Sequence, residues 1–199
     1  GPPVKMPVAL MDLLAAHQLK EGILVALLER ERTGKGSEVT VSLFDAGVAS
    51  LANQATNWLN LGHLPQRIGS RHPNIAPSGE IFYAQDDRPL IVSAGTEQQF
   101  RTLCHLLGAS QIAEDERFET NALRLEHRDE LATKLQAAFR CFPSVTILEK
   151  CHAAQVPVAP IRNLQEVFEL PVAQHFVLEE KTEGGGVSKR VRTVIFKVK

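Results

Sequence analysis

From Asp12 to Glu31 apolar residues recur as Leu13, Leu14, Ile23, Leu24, Ala26, Leu27 and Leu28, and "ERERTGKG" closes the run on charge and glycine. That spacing predicts a long buried helix with a definite stop. The next stretch, "SEVTVSLFD", sets Val39, Val41 and Leu43 against Glu38, Thr40 and Ser42. Alternation of this kind predicts a strand with one buried face. A helical pattern resumes in "AGVASLANQATNWLNLG", so the order helix, strand, helix points to part of an α/β layer. The segment "GHLPQRIGSRHPNIAPSG", 62–79, is too rich in proline and glycine for either regular element and reads as a loop or linker.

Two short strands, "EIFYAQ" and "PLIVSAG", are expected next, joined by the polar turn "DDR". Thr96 with Gln99 forms a possible capping box opening the helix "EQQFRTLCHLLG", which is expected to end on Gly108. Further helices are expected near 126–142 and 144–154, the second capped by Ser144 after Pro143. The prolines of "VPVAPI" favour extended backbone, and "HFVLEEKTEGGGVSKRVRTVIFKV" reads as two strands around a glycine turn.

Composition narrows the class. With 199 residues and 44% hydrophobic side chains, the chain can bury a core. A formal net charge of -1, with lysine and arginine scattered, gives no basic stripe for nucleic acid or an anionic membrane. No window approaches the roughly 18 uninterrupted apolar residues of a membrane span. Cys104, Cys141 and Cys151 match neither a disulfide framework nor a zinc site, which favours a reducing compartment. The histidines show no pair at ligand spacing, and no metal is expected. The start "GPPVK", with no methionine before Met6, reads as an entry in mid-protein, and a fragment is expected.

Asp12 stands out as the acid at the start of the first apolar helix. An anion there meets unpaired N–H groups and the positive end of the helix dipole. Spacing alone supports a plain helix cap. Four separated blocks add more: "PPVKMPVALMDLLAAHQLKEGILVALLERERTGKGSEVTVSLFDA", "RIGSRHPNIAPSGEIF", "DERFETNALRLEHRDEL" and "VPVAPIRNLQEVFELP". In this order they resemble the class III coenzyme A transferase family, which includes the formyl-CoA and carnitine-CoA transferases. The resemblance covers essentially the whole chain, and implies that it lacks the family's N-terminal half and C-terminal end.

The resemblance implies an α/β fold: residues 1–66 as the end of a nucleotide-fold-like large domain, 67–79 as a linker and active-site loop, and 80–199 as a small α+β domain with a return segment. It also implies an interlocked homodimer. Asp12 falls where the family has its catalytic aspartate. A carboxylate in that role acts as a covalent nucleophile and splits one hard acyl transfer into easier steps. Residues His72, Pro73, Asn74, Ile75, Ala76, Pro77, Ser78 and Gly79 align with the loop that covers the active site and keeps water from the intermediate. Leu43 matches a position lining the coenzyme pocket. Ala15-Ala16 replaces the family's Thr-Gly, and Ser78 stands where many relatives carry tyrosine.

His17, five residues from Asp12, is no acid/base partner for it, and Arg30, Arg32 and Lys35 read as a solvated face. The triple glycine at 184–186 lacks the strand-to-helix setting of a phosphate loop. The charges of "DERFETNALRLEHRDEL" are expected to serve helix caps and surface pairs. The implied reaction moves coenzyme A from an acyl-CoA donor to a small carboxylic acid, with no permanently bound cofactor, in a cytoplasmic or mitochondrial-matrix setting. An α-methylacyl-CoA racemase of the same superfamily is the alternative enzyme, and a non-catalytic dimerisation module is the alternative outside catalysis.

Overall fold

The structure, a computed structural model, describes residues 4–196; the ends of the first block and of the last expected strand lie outside them. The chain divides into two compact units, Gly1–Ile68 and Gly69–Lys199.

The first unit is helical. Helix α1, Leu10–Thr33, runs 24 residues and stops where Gly34 takes a left-handed conformation at φ 71° and donates to the Arg30 carbonyl. The helix and its stop match the pattern; its burial does not. None of its residues is buried, and Leu24, Val25 and Leu28 are 55%, 60% and 67% exposed. Its apolar side chains occur all around the axis, and a helix of that kind needs cover on every side. Within this unit the short helix at Leu43–Ala49 packs against it, and Ala46 is the one buried residue among those described.

The strand expected at 37–45 is also corrected. Residues 35–42 form no ladder, and α2 (Leu43–Ala49) begins inside the expected strand. Alternation sets an extended backbone, as at Ser42 with φ -91° and ψ 139°. A strand additionally needs a partner, and no described strand lies in this unit. Ser42 instead caps a helix, its Oγ accepting from the N–H groups of Phe44 and Asp45 at 3.1 and 3.3 Å. Gly22 leaves room for the extended segment, since a Cβ there would sit 2.7 Å from Val39 Cγ1. The helical pattern after it divides into α2 and α3 (Ala52–Leu61), broken where the Ser50 hydroxyl bonds back to the Gly47 carbonyl and Ala52 turns to φ 44°.

The second unit holds a three-stranded antiparallel sheet in the order β1 (Ser78–Tyr83), β2 (Pro89–Ser93), β3 (Val158–Pro160). Period-2 alternation puts Ser78, Glu80 and Phe82 on the buried face of β1, with Leu90 and Val92 beside them on β2. Phe82 stacks on Phe139 with ring centroids 4.8 Å apart. Helices cover this face: α4 (Glu97–Leu106), α5 (Ser110–Ala113), a 3-10 turn at Glu116–Phe118, α6 (Asn121–Glu126), α7 (Arg128–Phe139) and α8 (Ser144–Ala153).

The capping box forms as expected: Thr96 Oγ1 accepts from Gln99 N, and Gln99 Oε1 from Thr96 N. The single helix expected over 126–142 starts at Arg128, α6 preceding it as a separate piece ended by His127. Ser144 is not a cap. Pro143 takes the cap position with no side-chain capping bond, and Asp86 of the β1–β2 turn accepts from both Ser144 N and Ser144 Oγ, at 3.1 and 2.7 Å. Short helices α9 (Leu164–Glu169) and α10 (Pro171–Gln174) lead to the hairpin β4 (Val177–Lys181) and β5 (Val187–Val191), which turns at the glycines as read.

Candidate active site

Asp12 is the third residue of α1. The cap position belongs to Ala9, whose side chain makes no capping bond, so the reading of Asp12 as a helix cap is set aside. Its side chain is exposed and enters no hydrogen bond or ion pair among the described residues, at the edge of a depression lined by Lys5, Met6, Pro7, Val8, Leu10 and Met11. A carboxylate left unpaired at the start of a helix is available to react. Leu43, in the same unit, opens α2 and is 54% exposed instead of buried in a strand. His17 pairs with Lys20 Nζ at 3.1 Å on the surface.

Residues 72–79 lie in the second unit. Ala76, Pro77 and Ser78 are buried, His72, Pro73, Ile75 and Gly79 half-buried, and Asn74 exposed. The segment turns back on itself: His72 N donates to the Ser78 carbonyl at 2.7 Å, and Asn74 N to His72 Nδ1 at 3.1 Å. Gly79 is required there by both conformation and space. Its φ is +72°, and a Cβ would fall 2.0 Å from the Ser70 carbonyl oxygen. The Ser78 hydroxyl points into the unit and meets Ser93 Oγ at 3.1 Å.

Three residues of "DERFETNALRLEHRDEL" hold this segment, two of them arginines whose charges the sequence assigns to helix caps and surface pairs. Asn121 accepts from Ala76 N at 3.0 Å and donates to the Asn74 carbonyl at 2.8 Å. Arg124, only 1% exposed, donates through Nε to the Ala76 carbonyl at 2.7 Å and through Nη1 to the Phe118 carbonyl at 3.0 Å. Its two terminal nitrogens also grip Glu97, at 2.6 and 3.0 Å. Arg128 donates to the His72 carbonyl at 2.7 Å, to those of Ile75 and Ser78 at 3.4 Å, and to Glu80 Oε1 at 2.5 Å. A guanidinium offers five donors in a rigid fork, which suits it to several carbonyls at once.

The surface-pair reading of "DERFETNALRLEHRDEL" therefore holds for Arg117, bonded to Asp115 and Glu130, and fails for Arg124 and Arg128. No helical spacing marks them in the sequence, because Asn121 and Arg124 lie on α6 while Arg128 opens α7 beyond the break at His127. Electrostatics follow the contacts. The hydrogen bond from Arg124 holds the Glu97 carboxyl below the usual glutamate range, as Arg88 does for Glu166. Burial pushes the thiols of Cys104 and Cys151 up to about 12 and about 11, which leaves them protonated and inert. No cluster of metal-ligating side chains occurs among the described residues.

Comparison with known proteins extends this picture. The family model described as CoA-transferase family III matches residues 1–198. The acetyl-CoA:oxalate CoA-transferase of Acetobacter aceti is 38% identical over 172 residues, covering 86% of this chain and 44% of that protein. The succinate–glutarate CoA-transferase of Agrobacterium fabrum is 36% identical over 197 residues, 98% of this chain and 49% of that one. A crystal structure of a CAIB/BAIF family protein from Brucella suis superposes with a TM-score of 0.70 at 34% identity, covering 98% of this chain and 50% of that one. A protein from Mycobacterium tuberculosis reaches a TM-score of 0.82 at 26% identity, covering 100% and 52%. The chain spans about half the length of the curated relatives it matches.

Proposed function

The chain belongs to CoA-transferase family III, and from that membership we propose that the full-length protein transfers coenzyme A from an acyl-CoA donor to a small carboxylic acid, with Asp12 as the nucleophile. The carrying observation is the free, exposed carboxylate of Asp12 in the first turn of α1.

In this reading an Asp12 oxygen attacks the donor thioester carbon, and the carbon–sulfur bond breaks. The products are a mixed anhydride and coenzyme A thiolate. The thiolate then attacks the aspartyl carbonyl, releasing the donor acid as its carboxylate and leaving an aspartyl-CoA thioester. The acceptor carboxylate attacks that thioester in turn, and the thiolate returns to the acceptor's acyl carbon as Asp12 is regenerated. Each step exchanges one acyl–oxygen or acyl–sulfur bond for another, so no redox partner or net proton is needed. Residues 72–79 would exclude water from the anhydride and the thioester, both of which hydrolyse.

Leu43 lines the coenzyme side of the pocket in the same proposal, and the protein works as an interlocked homodimer without a resident cofactor. The free cysteines fit a reducing compartment such as the cytoplasm. The test is an assay of the full-length protein with paired donors and acceptors. Acceptor-dependent formation of a new acyl-CoA, lost in Asp12→Asn with folding intact, supports the proposal. Solvent deuterium entering the α-carbon of the donor without any acceptor would point instead to the racemase chemistry.

A further inference from the structure

The residues around 72–79 point to a mechanical property of that segment. Its main-chain carbonyls at His72, Asn74, Ile75, Ala76 and Ser78 all receive hydrogen bonds from side chains of Asn121, Arg124 or Arg128. Three of the segment's N–H groups are tied as well, Ala76 N to Asn121 Oδ1, His72 N to the Ser78 carbonyl and Asn74 N to His72 Nδ1. The clamps are themselves anchored. Arg124 is locked between Glu97, the Phe118 carbonyl and the ring of Phe100, whose centroid lies 4.4 Å from its central carbon. Arg128 is paired to Glu80 on the buried face of β1, with side-chain exposures of 12% and 5%.

A loop that orders only when substrate arrives must leave its peptide groups to water in the free state. This one has six of its eight carbonyls on fixed partners. Gly79 adds a hinge-like conformation but no freedom, because the Ser70 carbonyl lies where a Cβ would be and the Ser70 hydroxyl bonds the Gly79 carbonyl at 2.6 Å. We infer that Asn121, Arg124 and Arg128 are positioning residues that hold 72–79 as a pre-formed wall before substrate binds, so that exclusion of water does not depend on closure of this segment. The inference deepens the transferase reading and rests on it only where catalysis is measured.

Two arms separate the possibilities. Hydrogen exchange followed by mass spectrometry on the full-length protein without ligand reads the segment directly. The amides of His72 and Ala76 are expected to exchange at least ~100-fold more slowly than in an unstructured peptide. Asn121→Ala removes two bonds to the segment and no buried charge, so it leaves the fold standing; it is expected to raise exchange at Ala76 by ~10-fold or more. Arg124→Lys keeps the charge beside Glu97 but lacks the planar fork, and is expected to loosen the same amide. In the kinetic arm, Asn121→Ala is expected to raise the share of donor hydrolysed instead of transferred by ~10-fold, with the donor KM nearly unchanged.

Wild-type amides that exchange freely until an acyl-CoA is added would overturn the inference, because they describe a closing lid. Robust transfer with an unchanged hydrolysed share in both variants would overturn the positioning role. Protected amides in a protein that transfers nothing would uphold the wall and defeat only the transferase reading.

Discussion

Arg128 donates through Nε to Glu80 Oε1 at 2.5 Å, while Oε2 of the same buried carboxylate has no protein partner. Removing the arginine would leave a charge stranded on the inner face of β1. Breaking a buried pair from one side typically costs about 3–5 kcal/mol, whereas replacing both partners by apolar groups can be neutral. Arg128→Met is therefore expected to destabilise strongly in urea unfolding. The double variant Arg128→Met with Glu80→Met should regain most of the loss, and equal loss in both would contradict the pairing.

Gly79 joins the 72–79 segment to β1 at a bulge, where the register shifts between Ser78 and Glu80. Gly79→Ala meets the Ser70 carbonyl at 2.0 Å and a positive φ together. Backbone strain and a clash with a main-chain atom should cost about 3 kcal/mol or more, read as a lowered thermal midpoint. Gly184→Ala, in open space on the hairpin turn, is the control and should change little.

The second unit was largely legible, and the reasons are local. The strands at 78–83 and 89–93, the Thr96–Gln99 box and the glycine hairpin each carry their cause within a few residues. Ser144 shows the limit: its partner, Asp86, lies far back in the chain. The first unit was harder, because alternation at 37–43 cannot say whether a neighbouring strand exists, and an all-round apolar helix cannot say what covers it. The site divides the same way. Asp12 could be singled out by family likeness, but Arg124 and Arg128 looked like surface charges until the fold carried them to the loop carbonyls.

Glu97 gives a pH signature. Its carboxyl is held below its ordinary value of 4.5, first by the hydrogen bond from Arg124. A depressed native value stabilises the folded state fully above the unfolded value, and this contribution is lost as pH falls through the native one. Between pH 7 and about 5, Glu97→Gln should be less stable than the wild type by a constant margin. Below pH 4.5 the two stability curves should converge. A margin that persists unchanged into stronger acid would show that the charge is not what Arg124 recognises.

Asp12 carries the central claim, and trapping its acylated form tests that claim most directly. The full-length protein is mixed with an acyl-CoA donor, quenched with hydroxylamine, digested and read by mass spectrometry. The expected result is a hydroxamate at Asp12 that appears only with donor and disappears when excess acceptor carboxylate is present during turnover. An enzyme that transfers coenzyme A while the peptide carrying Asp12 stays unmodified would contradict it.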